Sequence, residues 1–166
     1  MKRLVLLRHA KSDWDADYGA DHDRPLNDRG VRSAEAMGRF LAEVGQVPDT
    51  VISSTAVRAR TTAELAIAAG GWNRSIRTDE RIYGGSAGDI LLLVQDLPDD
   101  LETAMLVGHN PTWEMLAGAL IGGGSIQMKT ATAAAVDFMS RHWRNVSPGR
   151  GTLAWLVQAR LFLDGG

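Results

Sequence analysis

Cysteine is absent from this 166-residue chain. That excludes disulfides, thiolate metal sites and a cysteine nucleophile, and it fits a cytoplasmic setting. Long apolar runs are also missing. The longest purely aliphatic stretch, Ile90 to Val94, falls far short of the roughly 20 residues of a membrane span. Met1-Lys2-Arg3 is followed by only four aliphatic residues before Arg8, too few for the ~7–15-residue core of a signal peptide. Neither sign of charge dominates: 18 basic and 20 acidic residues leave a net charge of −2. Nucleic acid and membrane are therefore not expected partners. There is no Gly-x-x-x-x-Gly-Lys-Ser/Thr loop, so a P-loop nucleotide site is not expected. No repeat, linker or low-complexity tract divides the sequence, and a single domain over residues 1–166 is expected.

The informative stretch is Leu4-Val5-Leu6-Leu7-Arg8-His9. Four consecutive aliphatics have the pattern of a strand buried on both faces. An arginine and a histidine follow at once. At the C-terminal end of a central strand they would stand where open α/β sheets bind ligands. Lys11 to Asp28 is a long polar loop rich in aspartate, and long ordered loops are usually functional. Asn27 or Asp28 can cap a helix carrying Val31, Ala34, Met37, Leu41 and Val44 at helical spacing. Thr50–Ser54 reads as a second strand. Thr55 or Ser54 can cap a helix from about Ala56 to Ala69, with Arg58 in its first turn. A cation is disfavoured there by the helix dipole, unless an anion lies beside it.

Arg74–Thr78 is a third, short strand. Asp79–Gly85 is a loop containing Glu80, and Ser86 caps a helix through Val94. Thr103–Gly108 is the second buried-strand pattern. It ends in His109-Asn110-Pro111, with Asn110 suited to an N-cap and Pro111 to the first helical position. Two further strands lie near Ala133–Met139 and Leu153–Leu161. Alternating strands and helices argue for an α/β fold, a three-layer α/β/α sandwich with a mostly parallel central sheet. Strand ends then deliver Arg8, His9, Arg58 and His109 to one rim of that sheet.

This pattern resembles the histidine phosphatase superfamily, whose fold is phosphoglycerate-mutase-like. Leu7-Arg8-His9-Ala10 is similar to the Arg-His-Gly signature, with alanine in place of glycine. Ser54–Thr62 resembles the second motif without its usual proline, and Val107–Pro111 resembles the third. The short chain and the Arg24-Pro25-Leu26 step are similar to the small SixA-type phosphohistidine phosphatases. The resemblance implies phosphoryl transfer in two steps. His9 would be the nucleophile, Arg8 and Arg58 would bind the phosphoryl oxygens, and His109, if protonated, would add a further cationic donor. Ser12 is a further candidate hydroxyl donor to phosphate. Glu80 is the leading candidate for the leaving-group acid, within a segment resembling the acid-bearing loop of the mutase branch, and Asp13 and Asp15 are the alternatives.

The implied partner is a phosphorylated substrate, either a phosphohistidine-bearing protein or a small phosphorylated molecule. No cofactor is expected. Metal is not expected either, because Asp21-His22-Asp23 lacks a second set of spaced ligands. A phosphoglycerate-mutase-like phosphotransferase and a non-catalytic phospho-ligand binding module are the competing functions. Trp14 and Trp113 are expected to pack as wall or core residues, and His142 to lie on the surface.

Overall fold

The computed structural model describes residues 1–163. Six strands form one sheet: β1 (Lys2–Arg8), β2 (Thr50–Ser53), β3 (Ile76–Thr78), β4 (Thr103–Gly108), β5 (Thr132–Phe138) and β6 (Gly151–Gln158). Their order is β3-β2-β4-β1-β5-β6. The β3–β2, β2–β4 and β4–β1 pairings are parallel. The β1–β5 and β5–β6 pairings are antiparallel, so the sheet is mixed. β1 is central, and Leu4 to Leu7 are each at most 1% exposed. Burial on both faces is why this strand reads as an unbroken apolar run.

Five helices complete the fold: α1 (Asp28–Glu43), α2 (Val57–Gly70), α3 (Arg81–Gly84), α4 (Ala87–Gln95) and α5 (Thr112–Leu120). Alternate residues of β1 face opposite cores. Val5 and Leu7 pack with Ala34, Met37 and Leu41 of α1 and with Ala59, Ala63 and Ala66 of α2. Leu4 and Leu6 pack with Ile90, Leu93 and Val94 of α4 and with Trp113 and Leu116 of α5. The three-layer sandwich follows from this division. The helices that follow β1 and β4 thus lie on opposite faces although the two strands are neighbours. Their C-terminal ends open a crevice of the kind that binds ligands in α/β sheets.

Local chemistry departs from the sequence expectation at several boundaries. Asn27 caps α1, accepting from Gly30 N at 2.8 Å, but neither Thr55 nor Ser54 occupies the N-cap of α2, which is Ala56. Ser54 Oγ instead accepts from Ala56 N, just outside that helix. Asn110 is not the cap of α5; Pro111 is, and the helix starts at Thr112. The Asn110 side chain is drawn away by Glu114 and the Met128 carbonyl, to which its amide donates at 3.0 and 2.9 Å. β3 starts at Ile76, and β6 spans 151–158 before turning into a short 3-10 turn over Ala159–Leu161.

The α1–α2 contact depends on Gly38. A methyl group there would overlap the backbone carbonyl of Ala66. Gly38→Ala is therefore expected to destabilise the fold by about 1–3 kcal/mol, through overpacking that only separation of two helices can relieve. Urea denaturation of the two proteins measures this directly.

Candidate active site

The crevice at the ends of β1, β2 and β4 holds a cavity of about 470 Å³. Arg8, His9, Arg58 and His109 all line it, although they come from distant parts of the chain. Three different devices deliver them. β1 runs straight into Arg8 and His9, and His9 N donates to the Gly108 carbonyl at 2.9 Å. β4 runs into His109. Arg58 sits in the first turn of α2, only 6% exposed despite its charge.

His9 is 8% exposed, with its ring centroid 5.2 Å from that of His109. Its Nδ1 lies 2.7 Å from the Ala10 carbonyl oxygen. A carbonyl can only accept, so Nδ1 carries the proton and Nε2 keeps its lone pair. Burial pushes the His9 pKa down to about 4, against the Ala10 carbonyl, and Arg58, Arg8 and Arg24 add to the fall. The ring is thus neutral and nucleophilic at pH 7.

His109 Nε2 lies 2.8 Å from Ser54 Oγ. Ser54 Oγ, which also accepts from Ala56 N at 3.1 Å, has its own hydrogen to donate to Nε2 in the tautomer that keeps the ring proton on Nδ1. Nδ1 of His109 is then the protonated nitrogen. It is buried and has no partner in the protein. Burial lowers the His109 pKa to about 3, with His9 and Arg58 contributing. His109 is therefore not a cation in the ligand-free protein. The ring is neutral, and it can still donate one hydrogen bond.

Buried donors without partners recur here. Arg8 Nη1 donates to the Met128 carbonyl at 2.9 Å, but Arg8 Nε and Arg58 Nε have no partner. Native proteins rarely leave buried N–H groups unpaired, because each costs roughly 1–3 kcal/mol. Arg8, Arg58 and His109 all line the cavity, so an oxyanion there would bring acceptors beside them.

Two residues not singled out from sequence shape the cup. Arg24 is 5% exposed and lines the cavity. Its guanidinium lies 3.6 Å from the Trp14 ring centroid, a cation–π stack on an otherwise exposed indole. Asp21 ion-pairs with both Arg24 and Arg58, and Tyr83 Oη donates to it at 3.0 Å. Partial burial favours the neutral acid, but the bonds from Tyr83, Arg58 and Arg24 prevail and hold the Asp21 carboxyl below its usual range. The signal available in the sequence was Asp21 three residues before Arg24. Five aspartates in one loop hid it.

The remaining candidates fall elsewhere. Ser12 lines the cavity but is 6% exposed, and its Oγ accepts from Arg24 Nε at 3.0 Å. It orients an arginine. Glu80 is exposed at the start of α3 and does not line the cavity. The helix phase turns Tyr83, not Glu80, toward Asp21. Asp13 accepts from Asp15 N within the loop, and neither lines the cavity. Trp113 is fully buried and donates to the Leu7 carbonyl at 3.1 Å. His142 is half-buried beside Asp99. Among the described residues no group of three or more His, Cys, Asp or Glu side chains is placed to hold a metal ion. Among the same residues no helix is long and apolar enough to cross a membrane.

Residues 4–93 match the model of the histidine phosphatase superfamily, branch 1. The chain belongs to the histidine phosphatase superfamily. It is 35% identical over 156 residues to an uncharacterised protein of Mycobacterium tuberculosis, covering 89% of this chain and 96% of that one. The crystal structure of SixA from Agrobacterium tumefaciens, a candidate phosphohistidine phosphatase, superposes with a TM-score of 0.78 at 30% identity, covering 94% of this chain and 97% of that one. A phosphoglycerate mutase of Mycobacterium leprae is 40% identical over 92 residues, which cover 51% of this chain and 37% of the mutase. That likeness is partial, whereas the SixA likeness runs nearly end to end.

Proposed function

We propose that this protein is a phosphatase that passes a phosphoryl group through a covalent phosphohistidine on His9, and that phosphohistidine on a protein is the substrate class that suits it best. The observation that carries this reading is the pairing of a neutral His9, its Nε2 unprotonated, with buried, unpartnered donors on Arg8, Arg58 and His109.

In the first step Nε2 forms a bond to phosphorus while the bond to the leaving group breaks. In the second, water attacks phosphorus, the P–N bond breaks, and phosphate leaves with His9 restored. Splitting the displacement in two is the benefit of a nucleophile. The arginines match charge on the equatorial oxygens, which is most of what phosphoryl transfer asks of a protein.

The choice of leaving group follows from a carboxylate's position. Among the described residues that line the cavity, none is Asp or Glu. An alkoxide leaving group needs an acid at hand. An imidazole leaves as a neutral ring once its own nitrogen is protonated, so a site of this kind suits P–N better than P–O cleavage.

Incubation with a phosphorylated substrate followed by rapid quenching is expected to label His9 with acid-labile, base-stable phosphate, with the same yield in the presence of a chelator. A label on another residue refutes the nucleophile. Loss of labelling that a divalent ion restores refutes the metal-free scheme.

A further inference from the structure

Outside the buried cup, the same cavity is ringed by Lys11, Arg29, Lys129 and Arg160. All four are exposed. None makes an ion pair among the described residues. Only three lysines occur in the chain, and two of them stand here.

Isolated surface cations are ordinarily just solvated. These four are held together by the backbone. Gly30 lies so close to the main chain of Lys11 that a side chain there would overlap it. Asn27 N donates to the Lys11 carbonyl at 3.0 Å, so the start of α1, with Arg29, is locked to the segment after β1. Ala131 N donates to the carbonyls of Arg8 and His9 at 3.2 and 3.1 Å, and Ala159 N to the Ala131 carbonyl at 3.2 Å. The main chain at Lys129, two residues before Ala131, and at Arg160, next to Ala159, is thereby held on the same rim.

A transferred phosphoryl group carries at most two negative charges, and Arg8, Arg24 and Arg58 already surround it. It is also too small to reach the rim. Four cations on one cavity rim, with no carboxylate among the described residues that line it, suit a second anion. We propose that Lys11, Arg29, Lys129 and Arg160 form a second anion subsite, which takes a carboxylate or phosphate carried by the substrate beyond its leaving group. The proposal rests on the phosphatase reading and narrows its substrate class to phosphorylated molecules with a further acidic group. That group is either an acidic side chain flanking a phosphohistidine or a second acid function on a small molecule.

The rim lies outside the buried cup, so its contact with the distal anion is taken to be equally strong in the ground and transition states. It lowers KM and leaves kcat alone. The test compares phenyl phosphate with 3-carboxyphenyl phosphate, and a phosphohistidine peptide flanked by glutamates with one flanked by glutamines. In at least one pair the acidic substrate is expected to show a KM about tenfold lower at low salt, with the advantage lost at high salt. It is also expected to vanish in the Arg29→Ala/Lys129→Ala/Arg160→Ala variant, whose turnover of phenyl phosphate stays unchanged. The pair that responds identifies the source of the anion. Equal KM values within both pairs, or a preference that survives the triple substitution, overturn the subsite while the phosphatase reading stands. Absence of turnover with every substrate overturns the phosphatase reading and the subsite with it.

Discussion

His9→Ala is expected to lower turnover of p-nitrophenyl phosphate and of phosphoramidate by ~10⁴-fold or more, the scale on which loss of an attacking group acts. The same variant is expected to bind inorganic phosphate, because Arg8, Arg58 and His109 remain. His9→Asn keeps a polar group beside the Ala10 carbonyl and controls for collapse of the cup. Retained turnover in either variant removes His9 as the nucleophile. The pH profile supplies an independent reading. With a pKa of about 4 in place of 6.5, His9 holds its lone pair down to acidic pH, so kcat/KM should fall only as pH drops through about 4. Stability follows the same group with a definite sign. Between pH 6.5 and 4 the unfolded chain binds a proton at His9 that the folded one does not. Stability is therefore lost as pH falls through that window. His9→Ala should reduce that slope and leave the share due to His109, whose pKa is also lowered, to about 3, as measured by urea denaturation across the range.

Much of this site could be read from the sequence because its anchors are local. Leu4–Leu7 and Ala104–Val107 are buried on both faces, so their apolar runs end where the polar crevice begins. His9 and His109 each lie two residues past those runs, the first residues beyond β1 and β4. Register between the strands then decides that the two meet, and Gly108 pairs with Arg8. What could not be read depends on side-chain direction over short, irregular segments. Glu80 lies in a stretch that resembles an acid-bearing loop, but one turn of helix there presents Tyr83 to the site and leaves Glu80 in solvent. The aspartates from Asp13 to Asp23 look alike in sequence. Only the 3-10 turn over Asp21–Asp23 sets Asp21 against two guanidinium groups. The low pKa of His109 is hidden for a related reason: its neighbours in sequence say nothing of the burial, or of the second histidine, that help cause it.

Arg58→Ala is the second large effect, an expected loss of ~10²–10³-fold in kcat/KM, comparable to removing one preorganised donor from an oxyanion site. The reasoning starts from burial. Arg58 is 6% exposed, its Nη1 donates to the Asp21 carbonyl oxygen at 2.9 Å and its Nη2 to the Asp21 carboxylate at 3.1 Å. Those two bonds fix the plane of the guanidinium and leave Nε as a buried, unpartnered donor. The group is therefore set before substrate arrives, and its charge stands at the cavity wall in a fixed orientation. Because negative charge on the equatorial oxygens is best matched in the transition state, kcat should fall along with the rise in KM. Arg58→Lys should recover little of the loss. An ammonium group keeps the charge but cannot hold Asp21 and an oxyanion in one plane. Full recovery by lysine would mean that Arg58 acts as a bare charge, and unchanged kcat/KM in Arg58→Ala would place it outside the phosphoryl pocket altogether.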